Sequence, residues 1–197
     1  MTASPYLQAQ VSTPGCYGRG MRPVFFYRPS RRRPAREETG WRWWLRVWTP
    51  VAIAIAVICC ESTGTMSAGH TSMFLRPLFE RLFGPFSDSA WDLFHHILRK
   101  SGHFVGYGTV GFTFLRAWLH TLDRRGPMTL IAWRVESVIL AIFSTAIVAS
   151  CDEFHQTFLI GRTGTPVDVM LDTAGASTLC LLVWLTCWSR RAPVEAW

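Results

Sequence analysis

Four apolar stretches, separated by short polar segments, constrain the fold of this chain more than any other feature. They run over about 43–60, 100–119, 133–151 and 167–188. A helix needs roughly 20 apolar residues to cross a bilayer, and it satisfies its own backbone hydrogen bonds there. The composition agrees, because 49% of the residues are hydrophobic and only 17% are charged. We therefore expect an all-α integral membrane bundle of four transmembrane helices.

The segment before the first apolar stretch has a different character. Residues 1–40 mix Pro, Gly, Ser and Arg without apolar periodicity, which is typical of a disordered tail. A basic arm that binds nucleic acid is the alternative. No folded nucleic-acid-binding domain accompanies it in the sequence, so we expect no nucleic-acid partner. No cleavage pattern follows the first apolar stretch, and we expect an uncleaved helix rather than a signal peptide.

Basic residues predict how the chain is oriented. Nine of the twenty Lys and Arg residues precede residue 47, and further Arg residues lie at 124, 125, 134, 190 and 191. Because basic flanks stay in the cytoplasm, these segments predict cytoplasmic N and C termini, the latter over 191–197. The expected location is the bacterial inner (cytoplasmic) membrane, with the loops 61–99 and 152–166 outside.

The segment from Phe74 to Phe86 lies between the first two predicted spans. Its apolar residues recur at helical spacing, but it is too short and too charged to span. Pro77 predicts that a helix starts there and does not run far through it. The helix would either lie in the membrane interface or cap the bundle, and our fold prediction takes it as a short interfacial helix.

Polar side chains gather where three predicted spans meet the outer surface. Residues three and four apart share one helix face, and three such groups begin or end spans on the same side of the membrane. An ionisable group at bilayer depth costs roughly 2.5–3.5 kcal/mol, so partners or water are required. The predicted ligand-binding residues are Lys100, His103, Tyr107, Asp152, Glu153, His155, Gln156, Arg162, Asp168 and Asp172.

Several roles for these groups remain open. Some are structural, since Thr165, Pro166 and Asp168 read as a helix start with an N-cap. His155, Glu153 and Asp152 are the catalytic candidates, with His155 as a general base. A histidine–carboxylate metal site is a further alternative, drawing on His103, His155, Glu153, Asp168 and Asp172, but no recognised ligand spacing is present. We predict no cofactor and no metal, and the cysteines show no disulfide or zinc pattern.

Two motifs give the chain a resemblance. The first is "KSGHFVGY", and the second is "DEFHQTFLIGRTGTPVDVMLDTAG". Together they resemble the VanZ-like family of bacterial membrane proteins, from about Trp43 to Trp188. The matching positions are Lys100, His103, Tyr107, Asp152, Glu153, Gln156, Gly161, Arg162, Asp168, Asp172 and Gly175. Asp172 is a departure, because family members often have Asn there, and Ile160 stands where a Pro is common.

The resemblance implies a membrane protein of the cell envelope, and a link to resistance against the antibiotic teicoplanin. We expect an outward polar site that binds an envelope-associated or amphiphilic ligand, with the lipid bilayer as the other partner. The alternative is a membrane-embedded hydrolase or transferase that acts on a lipid-linked or phosphate-bearing envelope substrate. The oligomeric state stays open.

Overall fold

The computed structural model describes residues 40–63, 68–124, 128–159 and 164–188, and all regular structure in these ranges is helical. The all-α prediction is confirmed for this part of the chain. The predicted tail up to residue 39 and the C-terminus after residue 188 lie outside the described residues. The five helices are α1 (Trp41–Glu61), α2 (Ala68–Phe83), α3 (Asp88–Leu122), α4 (Leu130–Gln156) and α5 (Pro166–Val183), the last continued by a π-helical turn over Trp184–Trp188.

Three helices are long and apolar enough to cross a membrane. They are α1, α4 and α5 with its π-helical turn, and they contain the predicted spans 43–60, 133–151 and 167–188. The predicted span 100–119 lies in α3, which is not one of the three. α3 packs against α1, α4 and α5. A helix that packs against several others contacts protein more than lipid, so it can carry less apolar residues. Tyr107, Gly108 and Gly111 are such residues of α3, and all three are buried.

Two helices extend further than their predicted spans. α3 begins at Asp88, well before Lys100, with Ser87 as its N-cap, whose hydroxyl accepts from the backbone N–H of Ala90. α4 continues to Gln156, so the polar residues from Asp152 onward form its last turns instead of following it. The apolar pattern ends where the polar cluster begins, whereas the helices continue through it.

α2 and the first part of α3 form a helical hairpin. The chain turns at Gly84, whose φ of 90° is a conformation that favours glycine. Trp91 donates through Nε1 to the Ser72 hydroxyl over 2.6 Å and fixes the two helices together. Pro77 is expected from the sequence to allow a helix to start there but not to lie within a long one; α2 instead begins at Ala68 and runs through Pro77 to Phe83. Proline removes one backbone bond, and the carbonyl that it leaves free belongs to Met73, which is exposed.

The backbones of α3 and α5 approach each other closely. A Cβ added at Gly175 would lie 2.2 Å from the backbone oxygen of Phe104. Only a residue without a side chain allows this approach, which brings the stretch of α3 that carries Lys100, His103 and Tyr107 beside the start of α5. The contact explains why a glycine follows the aspartates of α5.

The two ends of the bundle differ in chemistry. At one end, the guanidinium of Arg124 lies 3.6 Å from the Trp43 ring centroid, and that of Arg134 lies 4.9 Å from the Trp188 centroid. At the other end, Ser62 after α1 meets Asp152 near the end of α4. The helices therefore alternate in direction, with a basic aromatic end opposite the carboxylate-rich one.

Candidate functional site

Asp152 is the centre of a hydrogen-bonded group at the carboxylate-rich end. Its Oδ2 accepts from the Ser62 hydroxyl at 2.7 Å, the Tyr107 hydroxyl at 3.1 Å and the Gln156 amide at 3.0 Å. The residue is only 8% exposed. Donors from three parts of the chain satisfy one oxygen, so Asp152 fastens α1, α3 and α4 together.

Glu153 connects the end of α4 to the start of α5. Its Oε2 accepts the backbone N–H of Thr165 at 3.0 Å, and its Oε1 accepts a longer bond from the Gln156 amide at 3.4 Å. Gly164 makes this approach possible, because a Cβ there would lie 2.0 Å from the Glu153 backbone oxygen. Glu153 is 5% exposed and is held toward the interior of the bundle.

Asp172 is the most enclosed charged group of the site. Its side chain is 0% exposed, and neither carboxylate oxygen has a hydrogen-bond partner among the described residues. Nδ1 of His103 lies 3.6 Å from Oδ1, beyond hydrogen-bonding distance. The His103 ring stacks on Tyr107 with centroids 6.2 Å apart. His103, Glu153 and Asp172 each offer a ligand atom, and these atoms all lie within 4.8 Å of one another.

Lys100 and Asp168 form an ion pair at the rim of the site. Lys100 is 37% exposed, so the pair faces the surroundings. The predicted start of α5 is confirmed: Thr165 is the N-cap, its hydroxyl oxygen accepts the Asp168 N–H at 3.2 Å, and Pro166 begins the helix. Asp168 accepts in turn from the Thr165 hydroxyl at 3.0 Å. Asp168 therefore has both the capping role and the charge-pairing role that its position predicts.

One predicted residue lies away from the group, and a second falls outside the described residues. The His155 side chain is exposed and makes none of these contacts. A helix turns about 100° per residue, so a buried face made of Asp152, Glu153 and Gln156 leaves His155 turned away by roughly 100°. Arg162 lies outside the described residues.

Ser62 belongs to the group although the sequence analysis did not name it. It follows α1 directly and is buried. One feature of the sequence pointed to Ser62. It is the first small polar residue after the first apolar helix, at the end predicted to face outward. Its partner could not be read from the sequence, because the two residues are 90 positions apart.

The charges of the site are unevenly matched. Four carboxylates come together, those of Asp152, Glu153, Asp168 and Asp172. The cationic partners within the described residues are Lys100 and, when protonated, His103. The inner part of the site is thus acidic, and a positively charged group or a cation would complement it.

Comparison with known proteins gives one positive result. Neither the curated proteins nor the solved structures contain a match to this chain. A family model described as VanZ/LLP1 matches residues 43–187, which cover the bundle apart from the first two residues of α1 and the last residue of the π-helical turn, and include all the described residues of the polar cluster. The three long apolar helices of this chain fit a membrane protein of this type. The chain belongs to the VanZ/LLP1 family.

Proposed function

We propose that this protein is a multi-pass protein of the bacterial cytoplasmic membrane whose outward polar cluster binds an amphiphilic ligand of the cell envelope. The observation that carries the proposal is the burial of Glu153 and Asp172 side by side at one end of an apolar bundle. Buried carboxylates destabilise a fold unless they are compensated, and such groups within membrane segments commonly mark functional sites.

The proposal takes α3 as a fourth membrane span. From Lys100 to its end at Leu122, α3 is roughly 34 Å long at about 1.5 Å per residue. This length suits a hydrocarbon core of about 30 Å. Packing of α3 against α1, α4 and α5 supports a central position, in which neighbouring helices shield its less apolar residues from lipid.

Charge distribution supports the orientation. Arg42, Arg46, Arg124 and Arg134 gather at the end of the bundle that lies opposite the carboxylates. An excess of Arg identifies the cytoplasmic side, so the polar cluster faces outward and both termini lie inside.

α2 is then an interfacial helix. Arg76 pairs with Glu80 at 2.8 Å and with Asp88 at 2.8 Å, which leaves a charged side that suits water and head groups. The opposite side is apolar and unburied, as expected for a helix that rests on acyl chains. The exposed apolar residues of that side are Phe74, Leu78 and Leu82.

Apolar side chains beside the cluster favour an amphiphile over a wholly polar ligand. They come from the same stretches of α3, α4 and α5 that supply the polar groups. An amphiphile in the outer leaflet can lay its hydrocarbon part on them while its head group reaches Lys100 and the acidic interior. These exposed residues are Val105, Phe154, Phe158, Val167 and Met170.

A membrane-embedded hydrolase or transferase is the second candidate function. The grouping of His103, Glu153 and Asp172 favours it, because an imidazole beside two carboxylates is a common arrangement for acid–base or metal-assisted chemistry. The same geometry moves the candidate histidine from His155 to His103.

Native mass spectrometry of the full chain in lipid nanodiscs tests ligand binding. We expect an envelope amphiphile to copurify with the wild-type protein and to be depleted in Glu153→Gln and Asp172→Asn. Asp92→Asn, on the exposed start of α3, is the matched control and should retain it. Equal occupancy in all four proteins would contradict the proposed site.

The link to teicoplanin is tested separately. Expression of the wild-type chain in a susceptible host should raise the minimal inhibitory concentration of teicoplanin, and Glu153→Gln at equal membrane abundance should not. Asp92→Asn should behave as wild type. An unchanged concentration with the wild-type chain would remove the resistance role and leave ligand binding to the nanodisc experiment.

A further inference from the structure

We infer that His103, Glu153 and Asp172 bind a divalent transition-metal ion, with zinc and manganese as the two candidates. The three residues come from α3, α4 and α5, so a metal would join three helices at one point. The inference deepens the proposed function and rests on it for the outward position of the site.

The distances suit metal binding after a small adjustment. The three ligand atoms lie within 4.8 Å of one another. Zinc binds nitrogen and carboxylate oxygen at about 2.0–2.2 Å, so two ligand atoms around one ion lie roughly 3–4 Å apart. Each side chain must therefore move inward by on the order of 1 Å, which rotation about its own bonds can supply.

The second, independent observation is the state of Asp172. Both of its oxygens are fully enclosed and lack a hydrogen-bond partner in the described part of the chain. Asp152, one of the neighbouring acids, receives three donors on a single oxygen. Buried polar groups are nearly always satisfied, and the ion-pair partner of Asp172 among the described residues, His103, lies 3.6 Å away, so an enclosed carboxylate that faces a histidine and a second carboxylate suits a bound cation.

The surroundings hold the ligands as a metal site requires. Glu153 uses Oε2 for the Thr165 N–H, which fixes its direction, while the bond to Oε1 is long at 3.4 Å. Oε1 is thus the oxygen that can turn to an ion. His103 is stacked on Tyr107, whose hydroxyl bonds to Asp152. Such outer contacts commonly orient metal ligands.

The donor set indicates which metal binds. One imidazole with two carboxylates suits zinc or manganese, whereas magnesium and calcium prefer oxygen alone. Two carboxylates also balance the double charge of the ion when the imidazole is neutral. Three protein ligands leave a coordination position open, which a head-group phosphate or a water molecule can fill.

Metal content of the full chain in nanodiscs tests the inference. After incubation with zinc or manganese and removal of loose ions, we expect about one ion per chain. His103→Ala and Asp172→Asn should lose it. His96→Ala and Asp92→Asn, which alter exposed residues of the same types, should keep it. The bound metal should also raise the unfolding temperature of the wild type and the controls, but not of the two site variants.

X-ray absorption of the zinc-loaded wild type covers the case in which a site variant fails to fold. Nitrogen and oxygen scatterers at about 2.0–2.2 Å are expected, without sulfur at about 2.3 Å. No retained metal in the wild type, equal metal in all variants, or a sulfur shell from the cysteines would each overturn the inference. The first result would leave His103 and Asp172 as an ion pair.

The same preparations keep this inference distinct from the proposed function. A wild type that copurifies with amphiphile but retains no metal after incubation would overturn the metal site and leave the ligand role standing. A wild type that retains metal but never copurifies with amphiphile would overturn the ligand role alone.

Discussion

The hydroxyl of Ser62 donates a 2.7 Å hydrogen bond to Oδ2 of Asp152, which joins the end of α1 to the last turns of α4. The same oxygen accepts from Tyr107 on α3. Through this one atom, three helices are held at the level of the polar cluster. Asp152 is therefore a positioning residue, whereas Glu153 and Asp172 have the oxygens that remain for a ligand.

Truncation of Asp152 should destabilise the bundle more than truncation of any single donor. Asp152→Ala leaves the Ser62 and Tyr107 hydroxyls without this acceptor and removes one of the acceptors of the Gln156 amide. A buried unsatisfied group costs about 1–3 kcal/mol, so we expect a loss of at least about 2 kcal/mol for Asp152→Ala and about 1 kcal/mol for Ser62→Ala. Denaturant unfolding in detergent measures both, and equal small losses would contradict the role of Asp152.

Gly175→Ala should disturb the contact between α3 and α5. The new methyl group would lie 2.2 Å from the Phe104 backbone oxygen, and a backbone atom cannot swing aside. Overpacking of this kind costs about 1–3 kcal/mol or more. Gly102→Ala is the matched control, because a Cβ there meets nothing within 4 Å and alanine favours helix. Unfolding temperatures that fall equally for both variants would contradict the close contact.

Much of this arrangement follows from the sequence by local rules. The start of α5 was predictable because Thr165, Pro166 and Asp168 carry a capping pattern whose physics is local. Helix spacing and alternating helix direction predicted that Lys100 and His103 would lie at the level of the aspartates of α5, but not which of them pairs with Asp168 and which with Asp172.

Other features depend on how the helices pack. Spacing of three and four residues groups His155 with Asp152, but only the rotation of α4 decides which residues face inward, and His155 does not. The extension of α3 back to Asp88 rests on its pairing with α2. Neither the orientation of His155 nor the extension of α3 can be predicted from the spacing of apolar residues.

Acid should weaken the hairpin of α2 and α3. His95 is buried against Trp91, with ring centroids 5.5 Å apart, and its Nε2 lies 3.1 Å from the Thr71 hydroxyl. Burial, helped by Arg99, lowers the pKa of His95 below its ordinary 6.5. The unfolded hairpin then binds the proton more readily, so stability is full above about pH 6.5 and falls as the pH drops below it.

Hydrogen exchange of α2 between pH 7.5 and about pH 5 measures this effect once the intrinsic exchange rate is corrected for pH. Protection in the wild type should fall on acidification, and in His95→Gln, which cannot titrate, it should stay level. His96→Gln is the matched control and should behave as wild type, since His96 is exposed. A fall of equal size in His95→Gln would assign the effect to another group.

The number of spans decides whether the two termini share a side of the membrane. With α3 as a span, the chain crosses four times, and reporters before Met1 and after Trp197 should both be active in the cytoplasm. With only the three apolar helices α1, α4 and α5 crossing, the termini would lie on opposite sides. A reporter inserted at Gly84, in the turn between α2 and α3, should be active outside in the four-span arrangement. A cytoplasmic signal at Gly84 or an external signal after Trp197 would contradict the outward position of the carboxylate cluster.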